Sequence, residues 1–360
     1  MKAVILVGGR ATRLLPLTAN TPKAMVPVVN VPFLEHVIHR LKTHGIDEIV
    51  LAQGHLAGPI ESFLGDGSQF GVKIRYSMEE KPLGTAGAIK QAERYLDGTF
   101  AVLNGDIFDN LDVTQMVAFH RSHRAVATIA LTPVEDPTAY GLVETEVDGR
   151  VKRFLEKPSQ EEITTNMINA GTYVLETDIL SQVPADTNVS IERVVFPGLL
   201  AQGRPVYAFV SPGYWIDMGT PEKYLQLHRD LLTGKCPGFN MPPDSRIIGD
   251  GCNVDSTADI VGPVIIGPAC SIKARARIVG PSAVAAHASL EEDSAVDNSV
   301  LWRSARLQQG ARVANSILGD NCSLGSGCVV DGAVLGDNVV VASGARVPPG
   351  TRIEPGTTFE

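Results

Sequence analysis

The hydrophobic pattern of the chain changes near residue 240. Up to about residue 232, short β-branched runs alternate with longer segments of helical period, as in the helix predicted at PFLEHVIHRLKTHG. Further strands are predicted at KAVILV, DEIVLAQG, VKIRYSME, TFAVLNGD, AVATIALTPV, YGLVETE, RVKRFLEKP and AGTYVLE, and further helices at TAGAIKQAERYL, SIERVVFPGLLAQG and TPEKYLQLHRDLL. This alternation predicts an α/β domain built on a mostly parallel sheet.

Beyond residue 245 the helical period disappears and a period of six replaces it. Aliphatic residues recur in this step from Ile248 to Val296 and onward to Phe359, with five-residue steps leading to Leu301, Leu318 and Leu335. Three hexads make one triangular coil with its anchors inward, so the pattern predicts a solenoid of stacked coils. The Pro- and Gly-rich segment between the two patterns predicts domains at 1–233 and 245–360, joined by a linker at 234–244.

Length, net charge and cysteine content limit the classes of protein to which the chain can belong. The 360 residues exceed the usual size of one domain, and the net charge of −9 argues against general binding to nucleic acid or to an anionic membrane. No apolar run reaches the roughly twenty residues of a membrane span, and the N-terminus does not have the pattern of a signal peptide. Five cysteines without a CxxC pair predict reduced thiols and a cytoplasmic location.

The first predicted strand leads directly into the loop VGGRATRLLPLTANTPKAM. Glycines there would let backbone N–H groups converge on phosphate oxygens, and Arg13 and Lys23 could neutralise the remaining charge. The spacing fits neither GxxxxGK[ST] nor GxGxxG. Taken alone, the loop is equally compatible with a Gly-rich turn carrying surface cations.

The loop resembles the GGxGTRLxPLT…PKP motif that opens the sugar-1-phosphate nucleotidylyltransferases, also called NDP-sugar pyrophosphorylases. Two positions depart from that motif, because Ala24 replaces the proline after the lysine and Ala11 replaces a glycine. If position 11 requires a positive φ, alanine would cost about 1 kcal/mol there.

Five more segments match the same family in the same order. They are EEKPLGTAGAI, LNGDIF, FLEKP, NAGTYV and YWIDMGTP. Each segment alone has an ordinary structural interpretation, whereas their joint occurrence in order favours the family. The resemblance implies that Thr85 contacts the base, Glu156 the sugar hydroxyls and Lys157 the sugar phosphate.

The resemblance also implies a complete set of site residues. Nucleotide binding is expected of Leu6, Gly8, Gly9, Arg10, Ala11, Thr12, Arg13, Lys23, Gln53, Pro82, Gly84 and Thr85. Sugar-phosphate binding is expected of Asn104, Gly105, Gly141, Glu156, Lys157 and Asn169. Catalysis is expected of Arg13, Lys23, Asp106 and Asp217, with the two aspartates holding Mg²⁺.

The implied fold is a Rossmann-like nucleotidyltransferase domain followed by a left-handed parallel β-helix. The implied reaction joins an NTP to a sugar 1-phosphate, and the closest resemblance, to the mannose-1-phosphate guanylyltransferase group, favours GTP and mannose 1-phosphate. Open alternatives are a glucose-1-phosphate uridylyl- or thymidylyltransferase, a non-catalytic NDP-sugar-binding regulatory subunit, and a bifunctional enzyme with acyltransferase activity in the β-helix. A homo-oligomer formed through the β-helix is also expected.

Overall fold

The computed structural model describes residues 1–239 and 245–360. They form two compact units, one made of residues 1–9 and 34–215 and the other of residues 10–33 and 216–360. The predicted domain bounds stay a prediction, and residues 240–244 of the predicted linker lie outside the described residues. The second unit contains residues 10–25 of the opening loop together with the C-terminal repeats, whereas Val7, Gly8 and Gly9 belong to the first unit.

The first unit is built on a nine-stranded sheet. Its strands are β1 Lys2–Leu6, β2 Glu48–Gln53, β3 Lys73–Met78, β4 Thr99–Asn104, β5 Ala127–Pro133, β6 Gly141–Thr145, β7 Val151–Glu156, β8 Met167–Glu176 and β9 Val206–Val210. The α-helices of the chain are α1 Phe33–Thr43, α2 Ala57–Leu64, α3 Gly84–Ala92, α4 Val113–Ser122, α5 Phe196–Ala201 and α6 Pro221–Leu232. Short strands also occur at Pro27–Val28, Val31–Pro32, Ile107–Asp109 and Trp215–Asp217.

The sheet is mixed, and its parallel part has the Rossmann-like order β3-β2-β1-β4. Strand β8 runs antiparallel to β4, β5 and β6, so it separates this parallel part from the remaining strands. In the parallel register Leu6 lies opposite Asn104, so the carboxyl ends of β1 and β4 are neighbours. Open α/β sheets bind ligands at such strand ends.

The predicted α/β class is confirmed by these elements. All eight predicted strands and all four predicted helical segments are present, the third helical segment as a π-helical turn at Ile191–Val195 that leads into α5. Three further elements, α2, α4 and β9, were not predicted. Helix α2 contains an internal Gly-Pro pair, which weakens its helical signal.

Residues 245–360 contain twenty short strands in three parallel sheets. The first β-helix sheet contains Arg246–Ile248, Val264–Ile266, Ser282–Val284, Val300–Leu301, Ile317–Leu318, Val334–Leu335 and Arg352–Ile353. The second contains Asn253–Val254, Ser271–Ile272, Ser289–Leu290, Arg306–Leu307, Ser323–Leu324, Val340–Val341 and Thr358–Phe359. The third contains Asp259–Val261, Arg277–Val279, Ala295–Asp297, Arg312–Ala314, Val329–Asp331 and Arg346–Val347.

The five-residue steps in the sequence correspond to shortened coils. Val264 pairs with Ser282, eighteen positions on, whereas Val300 pairs with Ile317, seventeen positions on. Hexad anchors such as Leu318 form one buried core along the stack. The prediction of a stacked-coil solenoid is therefore confirmed, as expected of a left-handed β-helix.

Corners of the coils require left-handed backbone at equivalent positions. His287 occupies one such position with φ 62°, as Ala269 and Ser304 do in the adjacent coils. The left-handed conformation of His287 is therefore explained by its position at a corner of the coil.

The cysteines of the chain form no disulfide, and Cys322 and Cys328 belong to the β-helix core. In the part of the chain that the structure describes, no helix has the length and apolar character needed to cross a membrane.

Replacing an inward anchor should destabilise the β-helix far more than replacing its outward neighbour. Leu307 is fully buried, so Leu307→Ala should lower the free energy of unfolding by about 2–5 kcal/mol through lost packing and a cavity. Arg306→Ala, one position earlier and exposed, should change it by less than about 0.5 kcal/mol. Urea denaturation measures both, and equal effects would contradict the assignment of the inward face.

Candidate active site

One buried carboxylate in the second unit lies between two cations of the opening loop. Asp217 Oδ2 is 3.6 Å from Arg13 Nη2, and Asp217 Oδ1 is 3.7 Å from Lys23 Nζ. Arg13 is largely exposed, whereas the Lys23 side chain is only 12% exposed. The three groups together carry one excess positive charge, which favours an anion at this place in a chain that is acidic overall.

Asp217 also has an unsatisfied oxygen. Within the described residues, Oδ1 of Asp217 is buried and has no hydrogen-bond partner. A buried carboxylate oxygen without such a partner is costly, so it indicates a position where a ligand binds. Divalent Mg²⁺ prefers oxygen ligands of this kind, and Asp217 therefore fits the predicted metal ligand.

Gly219 makes room for the cluster. A Cβ atom at this position would lie 2.6 Å from Arg13 Nη2 and 2.8 Å from Asp217 Oδ1. Real Cβ atoms do not approach other atoms this closely, so a larger residue would displace both charged groups. The glycine of the YWIDMGTP segment therefore supports the ion pair of Arg13 with Asp217.

The opening loop takes the strained conformation anticipated at position 11. Ala11 has φ 48° and ψ 43°, in the left-handed region, at a cost of about 1 kcal/mol relative to glycine. Its carbonyl accepts hydrogen bonds from Leu14 N and from Thr18 Oγ1, both at 3.0 Å. These bonds fix the turn that contains Arg10, Thr12 and Arg13.

In the first unit, the ends of β1 and β4 approach each other closely at Gly105. Its N–H donates to Leu6 O at 2.9 Å, and a Cβ there would lie 2.5 Å from that same oxygen. Asp106 follows in the turn after β4. Gly105 therefore has a packing role beside its predicted contact with the sugar phosphate, which stays a prediction.

The predicted sugar residue Asn169 is held by a chain of hydrogen bonds. It lies where β8 bulges out of register with β5. Asn169 Nδ2 donates to Tyr173 OH at 2.8 Å, and Tyr173 OH donates to Glu192 Oε1 at 3.2 Å. Gly171 N donates to Asn169 Oδ1 at 2.9 Å, so both ends of the amide are fixed.

The glycines of PLGTAG pack against the segment of residues 187–189. A Cβ at Gly84 would lie 2.7 Å from Val189 O, and one at Gly87 would lie 2.4 Å from Thr187 O. The N–H groups of Ala86 and Gly87 both donate to Val189 O. These two N–H groups in the first turn of α3 therefore form hydrogen bonds within the protein.

Thr85 takes part in the same packing. Its hydroxyl donates to Glu192 Oε2 and accepts a hydrogen bond from Ile191 N, each at 2.8 Å. Pro82 O likewise accepts from Asn188 Nδ2 at 3.0 Å. The predicted contacts of Thr85, Gly84 and Pro82 with the base stay predictions.

Glu156 and Lys157 lie at the end of β7. Burial, with a smaller contribution from the charge of Glu192, raises the pKa of Glu156 above its usual value. Glu156 lies opposite Gly141, where a Cβ would be 2.9 Å from its Oε2. Lys157 is exposed with φ 55°, a strained conformation for a non-glycine residue and one typical of functional sites.

Two nucleotide positions differ sharply in accessibility. Gln53 is completely buried and its Nε2 donates to the Glu61 carboxylate. At Gly9, by contrast, a Cβ would have no described atom within 4 Å apart from those of its own chain neighbours. At Gly8 a Cβ would lie 2.8 Å from Glu79 Oε1. Burial raises the pKa of Glu79.

Glu79, Tyr173 and Glu192 lie against predicted site residues, and the sequence did not single them out. Glu79 was quoted within its motif without a role, and Glu192 lies in a segment interpreted only as a helix. The contacts of Tyr173 and Glu192 join segments that are distant in the sequence, so a local sequence pattern could not predict these residues. Asp106 belongs to the first unit and Asp217 to the second, and their shared metal stays a prediction.

Comparisons with known proteins agree with the two sequence patterns. A family model described as Nucleotidyl transferase matches residues 2–234, and one described as GMPPB C-terminal domain matches residues 260–355. Mannose-1-phosphate guanylyltransferase of Mycobacterium tuberculosis is 41% identical over 267 residues, covering 73% of this chain and 74% of that protein.

Two further relatives are similar. UTP–glucose-1-phosphate uridylyltransferase of Synechocystis is 35% identical over 329 residues, covering 85% of this chain and 84% of that protein. The crystal structure of HddC from Yersinia pseudotuberculosis has a TM-score of 0.55 at 33% identity, covering 63% of this chain and 97% of that one.

Two glycines of the predicted site should respond differently to alanine. Gly105→Ala would place a methyl group against Leu6 O and should lower the free energy of unfolding by about 2–3 kcal/mol. Gly9→Ala has open space and should change it by less than about 0.5 kcal/mol. Urea denaturation decides, and an unaffected Gly105→Ala protein would contradict the close approach of the strand ends.

The stability conferred by Glu156 should depend on pH. Its folded-state pKa is raised, so wild-type stability falls as pH rises through that pKa, because the unfolded state ionises first. Glu156→Gln removes this penalty. Its unfolding free energy relative to wild type should therefore increase between pH 4 and pH 7.

Glu162→Gln provides a control of opposite sign. Hydrogen bonds from Ser159 hold the pKa of Glu162 below its usual value, so its contribution is present at neutral pH and is lost as pH falls. That variant should lose most stability at pH 7. Parallel trends in the two variants would rule out the assigned environment of Glu156.

Proposed function

The chain belongs to the nucleotidyl transferase family, and from that premise we propose that it makes an NDP-sugar and pyrophosphate from GTP and mannose 1-phosphate. The observation that carries the proposal is the cluster of Arg13, Lys23 and Asp217, with its excess positive charge and its buried unsatisfied oxygen. The choice of substrates is supported by the name of the Mycobacterium tuberculosis relative.

The reaction is a nucleotidyl transfer. An oxygen of the sugar 1-phosphate attacks the α-phosphorus of the triphosphate, a new P–O bond forms, and the bond to the bridging oxygen breaks to release pyrophosphate in line. A phosphate dianion is already a competent nucleophile, so no general base is required. The main obstacle is repulsion between two polyanions, which amounts to several kcal/mol per pair of unit charges at contact.

The cations of the site offset that repulsion. Arg13, whose guanidinium is largely exposed, stabilises the departing pyrophosphate, and the nearly buried Lys23 binds the triphosphate. Lys157 binds the incoming sugar phosphate. The glycines at positions 8 and 9 let backbone N–H groups approach the nucleotide phosphates.

Asp217 and Asp106 are the residues that would hold Mg²⁺. When bound, a magnesium ion neutralises phosphate oxygens as a Lewis acid. In residues 1–239 and 245–360 no group of three or more His, Cys, Asp and Glu side chains could hold a metal ion. Two carboxylates with ligands from substrate phosphates and water fit the way proteins bind this ion.

Glu156 and Asn169 orient the sugar. The network from Asn169 through Tyr173 to Glu192 fixes the amide, so that its remaining hydrogen-bonding capacity faces one arrangement of sugar hydroxyls. Holding both substrates in fixed geometry lowers the barrier by making the reaction effectively unimolecular.

Location and assembly are part of the proposal. Five cysteines without a disulfide support a cytoplasmic protein. Association of two copies through the β-helix is supported by Ile247, Ile248 and Val261, which are 45%, 44% and 41% exposed in its first coil.

The decisive experiment measures pyrophosphate release for each NTP crossed with mannose, glucose and N-acetylglucosamine 1-phosphates, with and without Mg²⁺. We expect the highest kcat/KM for GTP with mannose 1-phosphate and dependence on the metal. A preference for UTP with glucose 1-phosphate would replace the proposed substrates, and no release with any pair would contradict the proposed reaction.

Asp217→Asn tests the central carboxylate in the same assay. It keeps the size of the side chain but removes its charge, so turnover should fall about a hundredfold or more. Asp178→Asn, which removes an exposed carboxylate paired with Arg204, is the control and should retain wild-type turnover. An Asp217→Asn protein with unchanged turnover would refute the assigned role.

A further inference from the structure

The last coil of the β-helix contacts the opening loop directly. Arg352 Nη1 donates to Arg13 O at 3.1 Å and to Leu15 O at 3.3 Å. Arg352 Nη2 lies 3.6 Å from Glu222 Oε1, in the first turn of α6. One guanidinium therefore bridges the loop and a helix of the same unit.

Two other coils hold the same stretch of chain. Asn20 Nδ2 donates to Asp337 Oδ2 at 3.3 Å, and Asp337 Oδ1 accepts a hydrogen bond from Asp320 N at 2.9 Å. Asn30 Nδ2 donates to Val284 O at 2.9 Å. The opening loop is thus held from the β-helix near residues 13 and 20, and the segment that follows it is held near residue 30.

The turn before Arg13 is strained, because Ala11 stands in the left-handed region without being glycine. Backbone hydrogen bonds to Arg13 and Leu15 restrain the residues on which the position of the guanidinium depends.

We propose that Arg352 is a positioning residue for nucleotidyl transfer, which keeps the Arg13 guanidinium beside Asp217 by holding the carbonyls of Arg13 and Leu15. The inference rests on the proposed role of Arg13 toward pyrophosphate. Under this proposal the C-terminal coil contributes to catalysis, because Arg352 of that coil holds Arg13 in position.

A stability role and a positioning role give different results. Arg352 is 42% exposed in its side chain, and exposed ion pairs add little to stability. A merely structural Arg352 would change the unfolding midpoint in parallel with any loss of activity. A positioning residue should change kcat and the exchange of loop amides while the unfolding midpoint and the KM for mannose 1-phosphate stay near wild type.

The test compares Arg352→Ala with Arg346→Ala. Both arginines are exposed residues that precede an inward anchor in a two-residue strand, six positions apart. In the described part of the chain the Arg346 side chain makes no hydrogen bond or ion pair, so it is a matched control. Arg352→Lys adds a variant that keeps the charge but loses the planar pair of donors.

We expect Arg352→Ala to lower kcat with GTP and mannose 1-phosphate about tenfold, a loss no larger than that of a single hydrogen bond to a charged group, because Arg352 acts on the reaction only through the position of Arg13. The kcat of Arg352→Lys should lie between those of wild type and Arg352→Ala, and the kcat of Arg346→Ala should equal that of wild type. Hydrogen exchange of amides in residues 10–22 should become faster in Arg352→Ala alone. These results together would establish the positioning role.

Other outcomes overturn the inference. Equal kcat values for Arg352→Ala and Arg346→Ala, or unchanged exchange in residues 10–22, would show that Arg352 does not position the loop. A loss of activity that follows only the unfolded fraction would show a structural role. Hydrogen exchange is measured without turnover, so it tests the loop contact independently of the reaction. If the wild-type protein released no pyrophosphate, the proposed function and the catalytic part of this inference would be refuted. Faster exchange in Arg352→Ala would still show that Arg352 restrains the loop.

Discussion

The ion pairs of the buried Asp217 carboxylate with the exposed Arg13 and the nearly buried Lys23 are the interaction on which the opening loop of the second unit depends. A nearly buried lysine is costly unless a carboxylate lies close, and the carboxylate of Asp217 lies 3.7 Å from Lys23 Nζ. The separations of 3.6 and 3.7 Å neutralise charge without closing the site, since one carboxylate oxygen keeps its capacity to bind a ligand. The opening loop, Gly219 and α6 all serve to hold these three groups.

The β-helix is joined to this centre by one of its three faces. On the first β-helix sheet the outward residues Val300 and Ile317 are buried, whereas Arg306 on the second sheet is exposed. Trp302 Nε1 donates to Tyr224 OH at 3.0 Å, and Val29 N donates to His228 Nε2 at 3.1 Å. Helix α6 therefore connects the coils to Val29, just beyond the opening loop, and this helps to place a coil far along the sequence beside Arg13.

Much of the fold could be predicted because its signals are local. The hexad period predicted the coils, and even its five-residue steps correspond to pairs seventeen positions apart. The strands were predicted from β-branched runs, and the motifs were placed at their carboxyl ends. Helix α2 escaped because Gly58 and Pro59 lie within it. Local spacing does not distinguish glycines expected to approach phosphates from glycines needed for packing, and the structure shows that Gly84, Gly87 and Gly105 are tightly packed.

Local chemistry and spacing therefore determined, from the sequence alone, the class of fold and the charged residues of the opening loop, whereas the left-handed conformation of Ala11 was only a condition until the structure gave its φ. Only the tertiary structure decided which atoms those residues meet. The bond from Arg352 to Arg13 joins residues 339 positions apart, and that from Thr85 to Glu192 joins residues 107 positions apart. Such contacts depend on how distant segments pack, and no periodicity along a single stretch of chain records that packing.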